Sequence, residues 1–304
     1  MYLKELLYIK AIAEEGSISR AAERLFMAQS SLSEFLTQYE AELGARLFVR
    51  SSTGVRPTDA GRVFLETAGP MLLEYKRMQQ QISDIQQLQA GTVELGASTF
   101  RGTYLLPPVL HVFSRRYPGI TVNIHEANSM ALEQMLLAGE VDIGLIALPL
   151  TRLSSQPELL MRDEICIIAA PDHPVLSKAR IEKGRSYVDP RDLGEFEFIL
   201  SDRDTILGHR GRDIIQKAGI SPTVHNDNIT APFAAAMACQ GLGLAFTYRS
   251  CRAGNPHALY LSIGPEGEFL ELALMYADGF RSRATRALRE VFFEVLGGRG
   301  EMEG

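Results

Sequence analysis

The chain has 304 residues, 46% of them hydrophobic and 22% charged, and its formal net charge is −6 at pH 7. This length allows two or three compact domains, and no run approaches the roughly 20 apolar residues of a membrane span. Residues 1–90 carry ten Lys or Arg against eleven Asp or Glu. The charge balance therefore argues against a strong nucleic-acid binder, unless positive residues such as Arg20, Arg46, Arg50 and Arg56 cluster on one face.

The N-terminal segment predicts a helix-turn-helix. The first helix has an apolar face formed by Leu3, Leu6, Ile9 and Ala13. This amphipathic pattern differs from the basic, apolar and small-residue regions of a signal peptide, so we expect the protein to stay in the cytoplasm. Residues 17–44 then predict two short amphipathic helices, with a turn at 26–28, Ser17 as an N-cap and Gly44 as a left-handed C-cap.

The second of these two helices predicts a DNA-reading surface. Its apolar positions are Leu32, Leu36, Tyr39 and Leu43, and its other face carries small hydroxyls and amides that suit a major groove. Residues 45–50 and 55–56, joined by a turn at 51–54, predict a two-stranded wing whose arginines would meet phosphates. The candidate DNA-binding residues are Arg20, Gln29, Ser30, Ser31, Ser33, Glu34, Thr37, Arg50 and Arg56. Such helical pairs also occur in proteins that never touch DNA, and exposed arginines are often simply solvated.

The spacing of residues over the first sixty positions resembles the LysR-type transcriptional regulators of bacteria. The matching positions are Leu3, Ala21-Ala22, Gln29, Ser33, Glu40, Leu43-Gly44, Leu47-Phe48, Arg50, Val55-Arg56, Thr58 and Ala60-Gly61. The resemblance implies promoter DNA, RNA polymerase and a small-molecule effector as partners, and self-association as a homodimer or homotetramer. Glu34 and Thr53 depart from it, since many relatives carry a basic residue there. Because residues 29–43 include no Lys or Arg, the common arginine-to-guanine contact is excluded for this helix.

A long helix is predicted over residues 59–90. Its apolar positions alternate by four and three through Phe64, Ala68, Met71, Tyr75, Met78, Ile82 and Ile85. This heptad pattern is typical of a coiled-coil seam, so a partner helix from a second subunit is expected to cover it. Gly69-Pro70 is expected to interrupt and bend the helix. Packing of the seam on its own domain is the alternative.

Residues 91–304 predict an α/β sensor region. Strands and helices alternate, which favours a largely parallel sheet. The run 126–149 resembles the effector-binding region of the same family, which implies the fold of type 2 periplasmic binding proteins with two Rossmann-like subdomains. The expected domains are 1–58 (winged helix-turn-helix), 59–90 (dimerisation helix) and 91–304, with subdomain I formed by 91–162 and 265–304 and subdomain II by 163–264. Within them, one helix is expected to begin near Pro107 and one strand to span 196–200.

Polar turns after the strands predict the effector site. Ligands of open α/β sheets bind beyond the carboxyl ends of the strands, where helix N-termini present free N–H groups. The candidate effector-binding residues are Ser98, Thr99, Phe100, Asn128, Ser129, Ser201, Asn228 and Thr230. Together they suit a small organic anion. Taken alone, each Ser or Asn is better explained as a simple N-cap than as a ligand-binding residue.

Other functions find less support in the sequence. The six histidines show no HxxxH spacing, and GxSxG and phosphate-loop motifs are absent, so neither a cofactor nor an enzyme is expected. A transported-solute receptor would fit residues 91–304 but not the helix-turn-helix. Cys166, Cys239 and Cys251 fit a reducing compartment, with a redox pair of Cys239 and Cys251 as an alternative to core packing.

Overall fold

The computed structural model describes residues 3–51, 54–85, 91–149, 153, 156–182, 184–277 and 282–297. The chain forms two compact units, Met1–Ile82 and Ser83–Gly304. Among the described residues, no helix combines the length and hydrophobicity needed to cross a bilayer.

The first unit contains the predicted helix-turn-helix and wing. Its elements are α1 (Leu3–Glu15), α2 (Ile18–Arg24), α3 (Gln29–Leu43), β1 (Phe48–Ser51), β2 (Gly54–Pro57) and α4 (Asp59–Ile85). Ser17 caps α2 by accepting a hydrogen bond from the Arg20 N–H, and Gly44 ends α3 in the left-handed conformation with φ 71°. Ile9, Ile12, Leu32 and Leu47 are fully buried and form the centre of the core.

The first wing strand begins later than expected, at Phe48 rather than Ala45. The backbone N–H groups of Leu47 and Phe48 donate to a Glu40 carboxylate oxygen, at 2.7 and 3.0 Å, where the strand begins. Residues 52–53, at the predicted turn and including the departure at Thr53, lie outside the described residues.

Helix α4 is continuous, with Pro70 inside it, so the expected interruption at Gly69-Pro70 is absent. Ala68 is buried and Phe64 packs edge-to-face on Tyr39, with ring centroids 5.8 Å apart. Farther along the predicted seam, the exposed side chains are Met71, Tyr75, Met78 and Ile82, at 39–51%. The side chain of Ile85 and residues 86–90 lie outside the described part of the chain.

The second unit is an α/β fold. Its helices are α5 (Thr99–Arg116), α6 (Ser129–Leu137), α7 (Ile206–Lys217), α8 (Ala231–Cys239) and α9 (Arg283–Leu296). Its strands are β3 (Gly91–Ala97), β4 (Ile120–Glu126), β5 (Ile143–Ala147), β6 (Glu158–Ala169), β7 (Arg180–Glu182), β8 (Arg185–Val188), β9 (Phe198–Ser201), β10 (Val224–Ile229), β11 (Ala245–Tyr248), β12 (Leu259–Ile263) and β13 (Glu268–Tyr276). Short 3-10 helices span Pro174–Lys178, Pro190–Glu195 and Arg249–Gly254.

The main sheet is mixed, so the prediction of a largely parallel sheet was wrong. Its order is β4-β3-β5-β13-β6-β12-β8-β7, with β11 also pairing with β6. Strands β3, β4 and β5 are parallel, whereas β13, β12 and β11 run antiparallel to β6. The physical reason is that β6 carries the chain away from the β3–β5 region and β13 brings it back in the opposite direction. Strands β9 and β10 form a separate parallel pair.

Two element boundaries near the predicted effector site also differ from expectation. Helix α5 begins at Thr99, directly after β3, and contains Pro107 and Pro108 in its interior. Its apolar face, which includes Leu105, Val109 and Phe113, is buried and holds the helix together across the prolines. Strand β9 extends to Ser201, one residue beyond the predicted end.

Candidate functional site

Helix α3 presents one polar face to solvent. Gln29, Ser30, Ser31, Glu34 and Thr37 are exposed, whereas the apolar positions on the opposite face are buried. The helix contains no Lys or Arg. Its surface therefore offers amide and hydroxyl groups to a partner, with Glu34 as an acidic group among them.

The predicted arginines lie around this helix in different settings. Arg50 on β1 donates from Nη2 to the hydroxyl of Ser33, which is half-buried, at 3.0 Å. Arg56 on β2 is exposed. Arg20 on α2 is exposed and donates to the Glu15 carbonyl. The structure thus joins Arg50 to the polar face of α3.

Hydrogen bonds from backbone N–H groups fix the wing against the helices. Besides the two bonds to Glu40, the Val55 N–H donates to the Gly16 carbonyl at 2.8 Å. Gly54 has φ 122°, and a Cβ there would lie 2.6 Å from the Gly16 oxygen, so only glycine fits this approach. The wing is therefore anchored at both strands.

In the second unit, four helix N-termini converge on a cavity of about 320 Å³. The helices are α5, α6, α7 and α8. Seven predicted effector-binding residues line the cavity: Ser98, Thr99, Phe100, Asn128, Ser129, Asn228 and Thr230. Each helix start contributes a partial positive charge, so the cavity favours an anion.

The four helix starts are capped differently. Asn128 accepts a hydrogen bond from the Ala131 N–H at 2.9 Å, and Thr205 accepts one from the Gly208 N–H at 3.0 Å. Ser98 and Thr230 occupy the N-cap positions of α5 and α8 but make no side-chain capping bond. Asn128 therefore serves as the N-cap that the alternative interpretation predicted, whereas the starts of α5 and α8 keep N–H groups for another acceptor.

Ser201 does not line the cavity, contrary to the sequence prediction. It is the last residue of β9 and only 5% exposed, and its carbonyl accepts a hydrogen bond from Arg212 at 2.8 Å. The strand runs one residue farther than the hydrophobic pattern indicated, so the turn that reaches the cavity starts with Asp202. Asp202 Oδ1 accepts from the Asp204 N–H at 2.9 Å.

Arg101 also lines the cavity, and sequence reasoning missed it. Its guanidinium carbon lies 4.0 Å from the centre of the Tyr248 ring, and its Nε lies 3.9 Å from Asp163 Oδ2. Burial raises the pKa of Asp163, against the opposing effects of Arg101 and Ser250, and raises the pKa of Tyr248 to about 12. The sequence offered one indication of this role, because Arg101 lies in the first helical turn after the predicted site residue Ser98.

The cysteines show no sign of activation. Burial raises the pKa of Cys166, of Cys239 and, to about 12, of Cys251. A raised pKa disfavours the thiolate that redox chemistry requires. Within the described residues, no group of three or more His, Cys, Asp or Glu side chains could hold a metal ion.

Two family models match the chain. Residues 3–62 match the bacterial regulatory helix-turn-helix protein model of the lysR family, and residues 86–297 match the LysR substrate binding domain. The chain belongs to the LysR family. It is a LysR-type transcriptional regulator with a helix-turn-helix DNA-binding domain and a substrate-binding domain, as the sequence resemblance predicted.

Curated relatives of this LysR-type regulator are themselves regulators. It is 30% identical to an uncharacterized HTH-type transcriptional regulator, YcgK of Bacillus subtilis, over 99% of both chains. It is 31% identical to a "Probable RuBisCO transcriptional regulator" of Cyanidioschyzon merolae, over 72% of this chain and 71% of the relative.

Solved structures share the LysR-type fold. A full-length OxyR variant from Pseudomonas aeruginosa has a TM-score of 0.69 at 24% identity and covers 100% of this chain and 98% of its own. Full-length CbnR in complex with its target DNA has a TM-score of 0.67 at 20% identity and covers 97% of this chain and 100% of its own. At these identities the likeness concerns the fold.

Proposed function

We propose that this regulator reads promoter DNA with the polar face of α3 and senses a small organic anion in the cavity at the four helix starts. In this proposal residues 1–58 bind DNA, 59–90 dimerise and 91–304 sense the effector. The effector changes the equilibrium between arrangements of the oligomer and hence promoter binding or contact with RNA polymerase. The protein acts in the cytoplasm and has no catalytic role.

The exposed polar face of α3 is the observation that carries the DNA-binding assignment. Gln29 is suited to pair with adenine, and Ser30, Ser31 and Thr37 can reach base edges or phosphates. Arg20, Arg50 and Arg56 provide the positive charge that α3 lacks. CbnR, which shares the fold, is described in complex with its target DNA.

The exposed seam of α4 supports self-association. Met71, Tyr75, Met78 and Ile82 are 39–51% exposed on one long helix. Covering a row of apolar side chains with a second copy of α4 removes that area from water, at roughly 25 cal/mol per Å². We propose a homodimer through this seam, which can associate further into a homotetramer.

The DNA assignment is tested by fluorescence anisotropy on a DNA site selected by the protein and on a scrambled site. Gln29→Ala should weaken binding to the selected site by about 1–3 kcal/mol and leave the scrambled site unaffected. Arg56→Ala should weaken both sites and reduce the salt dependence by about one phosphate contact. Gln134→Ala, at an exposed position of α6 in the second unit, is the matched control. Equal loss on both DNAs for Gln29→Ala would remove Gln29 from base recognition.

A further inference from the structure

Arg101 is a buried cation in the wall of the cavity. It belongs to the first turn of α5, is only 3% exposed and contributes to the cavity lining. A fully buried arginine is rare unless its charge and its N–H groups are both satisfied. The contacts of this side chain therefore indicate whether it is complete without a ligand.

Two nitrogens of the Arg101 guanidinium group lack hydrogen-bond acceptors. Its Nε and Nη2 atoms are buried, and neither has a hydrogen-bond partner in the described part of the chain. Asp163 balances the charge, but the 3.9 Å between Nε and Oδ2 exceeds a hydrogen bond. Arg101 therefore has a counterion, while its Nε and Nη2 atoms have no acceptor in the described part of the chain.

The neighbours of Arg101 fix its position without using these donors. Tyr248 packs against the face of the guanidinium, with 4.0 Å between the guanidinium carbon and the ring centre. Asp163 is held by Ser250, whose N–H and hydroxyl donate to its two oxygens at 3.1 and 2.7 Å. A guanidinium group held by its face keeps its in-plane N–H groups for an acceptor.

We propose that Arg101 recognises the charge of the effector, and that the effector is a small monocarboxylate with an apolar body. This inference rests on the proposed function of the cavity. The carboxylate accepts hydrogen bonds from Arg101 and from the open N-termini of α5 and α8. Such charge-assisted bonds between a guanidinium and a carboxylate are strong and directional.

The rest of the cavity sets the size and polarity of the ligand. Its volume of about 320 Å³ lies near the lower end of small-molecule sites, which span roughly 300–1,000 Å³. Apolar walls are formed by Phe100, Ile206, Leu207, Ile229 and Pro232. Asp202 is the acidic residue among the described lining residues, and it disfavours a second negative charge on the ligand.

The test compares acids with their neutral amides on the full-length chain. The probes are phenylacetate with phenylacetamide and hexanoate with hexanamide, with dissociation constants from calorimetry. Removing Arg101 alone would strand Asp163, so the variants are Asp163→Asn and the double variant Arg101→Met/Asp163→Asn. Arg116→Met, at the exposed far end of the same helix, is the matched control. Circular dichroism and DNA binding verify that each variant is folded.

We expect the wild-type chain and Arg116→Met to prefer each acid over its amide. Asp163→Asn should bind the acids at least as tightly, because Arg101 loses its competing carboxylate. The double variant should lose the preference for the acid by tenfold or more, and its affinity for the amides should change little. Arg101→Lys should keep a weaker preference, since an ammonium group retains the charge but not the planar fork.

Two other outcomes have different meanings. If the double variant prefers the acids as strongly as Asp163→Asn does, Arg101 does not recognise the ligand charge, although the anion-binding cavity of the proposed function remains. If the wild-type chain binds neither acid more tightly than its amide while still binding DNA, the monocarboxylate assignment fails together with the anion cavity on which it depends.

Discussion

Arg101→Met should destabilise the second unit by leaving the Asp163 carboxylate buried without a counterion. At an effective dielectric constant of about 20, two unit charges 3.9 Å apart attract each other by about 4 kcal/mol. Ser250 still donates two hydrogen bonds to Asp163 in the variant, which reduces the loss to about 3 kcal/mol, at the lower end of what breaking a buried pair costs. Methionine keeps the packing on Tyr248.

The loss should depend on pH in a defined direction. Burial already raises the pKa of Asp163 above its ordinary value, and removing Arg101, which lowers it, raises the pKa further. Below the ordinary aspartate range the carboxyl is protonated in both the folded and the unfolded state, so no penalty arises. As the pH rises from that range to the raised folded pKa, the unfolded state loses its proton first and the folded state is progressively destabilised. Arg101→Met should therefore lose more stability at pH 7.5 than at pH 5.

Thermal unfolding followed by circular dichroism measures this loss. For a unit of this size, 1 kcal/mol corresponds to roughly 2–4 °C, so Tm should fall by about 6–12 °C at pH 7.5. Adding Asp163→Asn should restore most of the loss and abolish its pH dependence, and Arg116→Met should change Tm little. An equal loss at both pH values, or no recovery in the double variant, would show that Arg101 does not compensate the Asp163 charge.

Three further predictions concern other parts of the chain. Ile82→Asp should halve the mass observed by sedimentation, whereas Val63→Asp, which is exposed on α4 but outside the seam, should leave the mass unchanged. An unchanged mass for Ile82→Asp would mean that the seam is not the dimer contact. Glu40→Ala removes the acceptor for two wing N–H groups. It should destabilise the first unit by about 2 kcal/mol in urea unfolding and weaken DNA binding, and unchanged stability would refute the anchoring role of Glu40. Asn128→Ala should cost about 1 kcal/mol as a lost N-cap in urea unfolding, whereas no loss would show that the capping bond is unimportant.

The elements of the first unit were predictable because their signals are local. Leu32, Leu36 and Tyr39 recur at helical spacing and are buried, and Gly44 adopts the left-handed conformation that its position required. The late start of β1 was not predictable. The Glu40 side chain accepts the N–H groups of Leu47 and Phe48 where the strand begins, and contacts across seven and eight residues leave no periodicity in the sequence.

In the second unit, the turns were easier to predict than the contacts between distant strands. Ser98 and Asn128 each follow a strand and open a helix, so topology alone placed them at one edge of the sheet. The direction of β13 beside β6 depends on how the chain returns after about a hundred residues, and the pattern of apolar residues does not encode it. Arg101 was missed for a similar reason, because its counterion Asp163 and its ring partner Tyr248 are both far away in sequence.

The absence of Lys and Arg from α3 makes self-association important to the proposed function. Amide and hydroxyl contacts supply base recognition, but counterion release from phosphates supplies much of the affinity for DNA. With Arg20, Arg46, Arg50 and Arg56 as the candidate phosphate contacts and a net charge of −6 for the whole chain, one DNA-binding unit should bind weakly and with a shallow salt dependence. When α4 joins two subunits, the DNA contact of the second subunit becomes intramolecular. The affinity of the dimer for DNA then rises without new charges. Weak single-unit binding also means that a change in the geometry of the pair is enough to alter promoter occupancy, which is the response that an effector must produce.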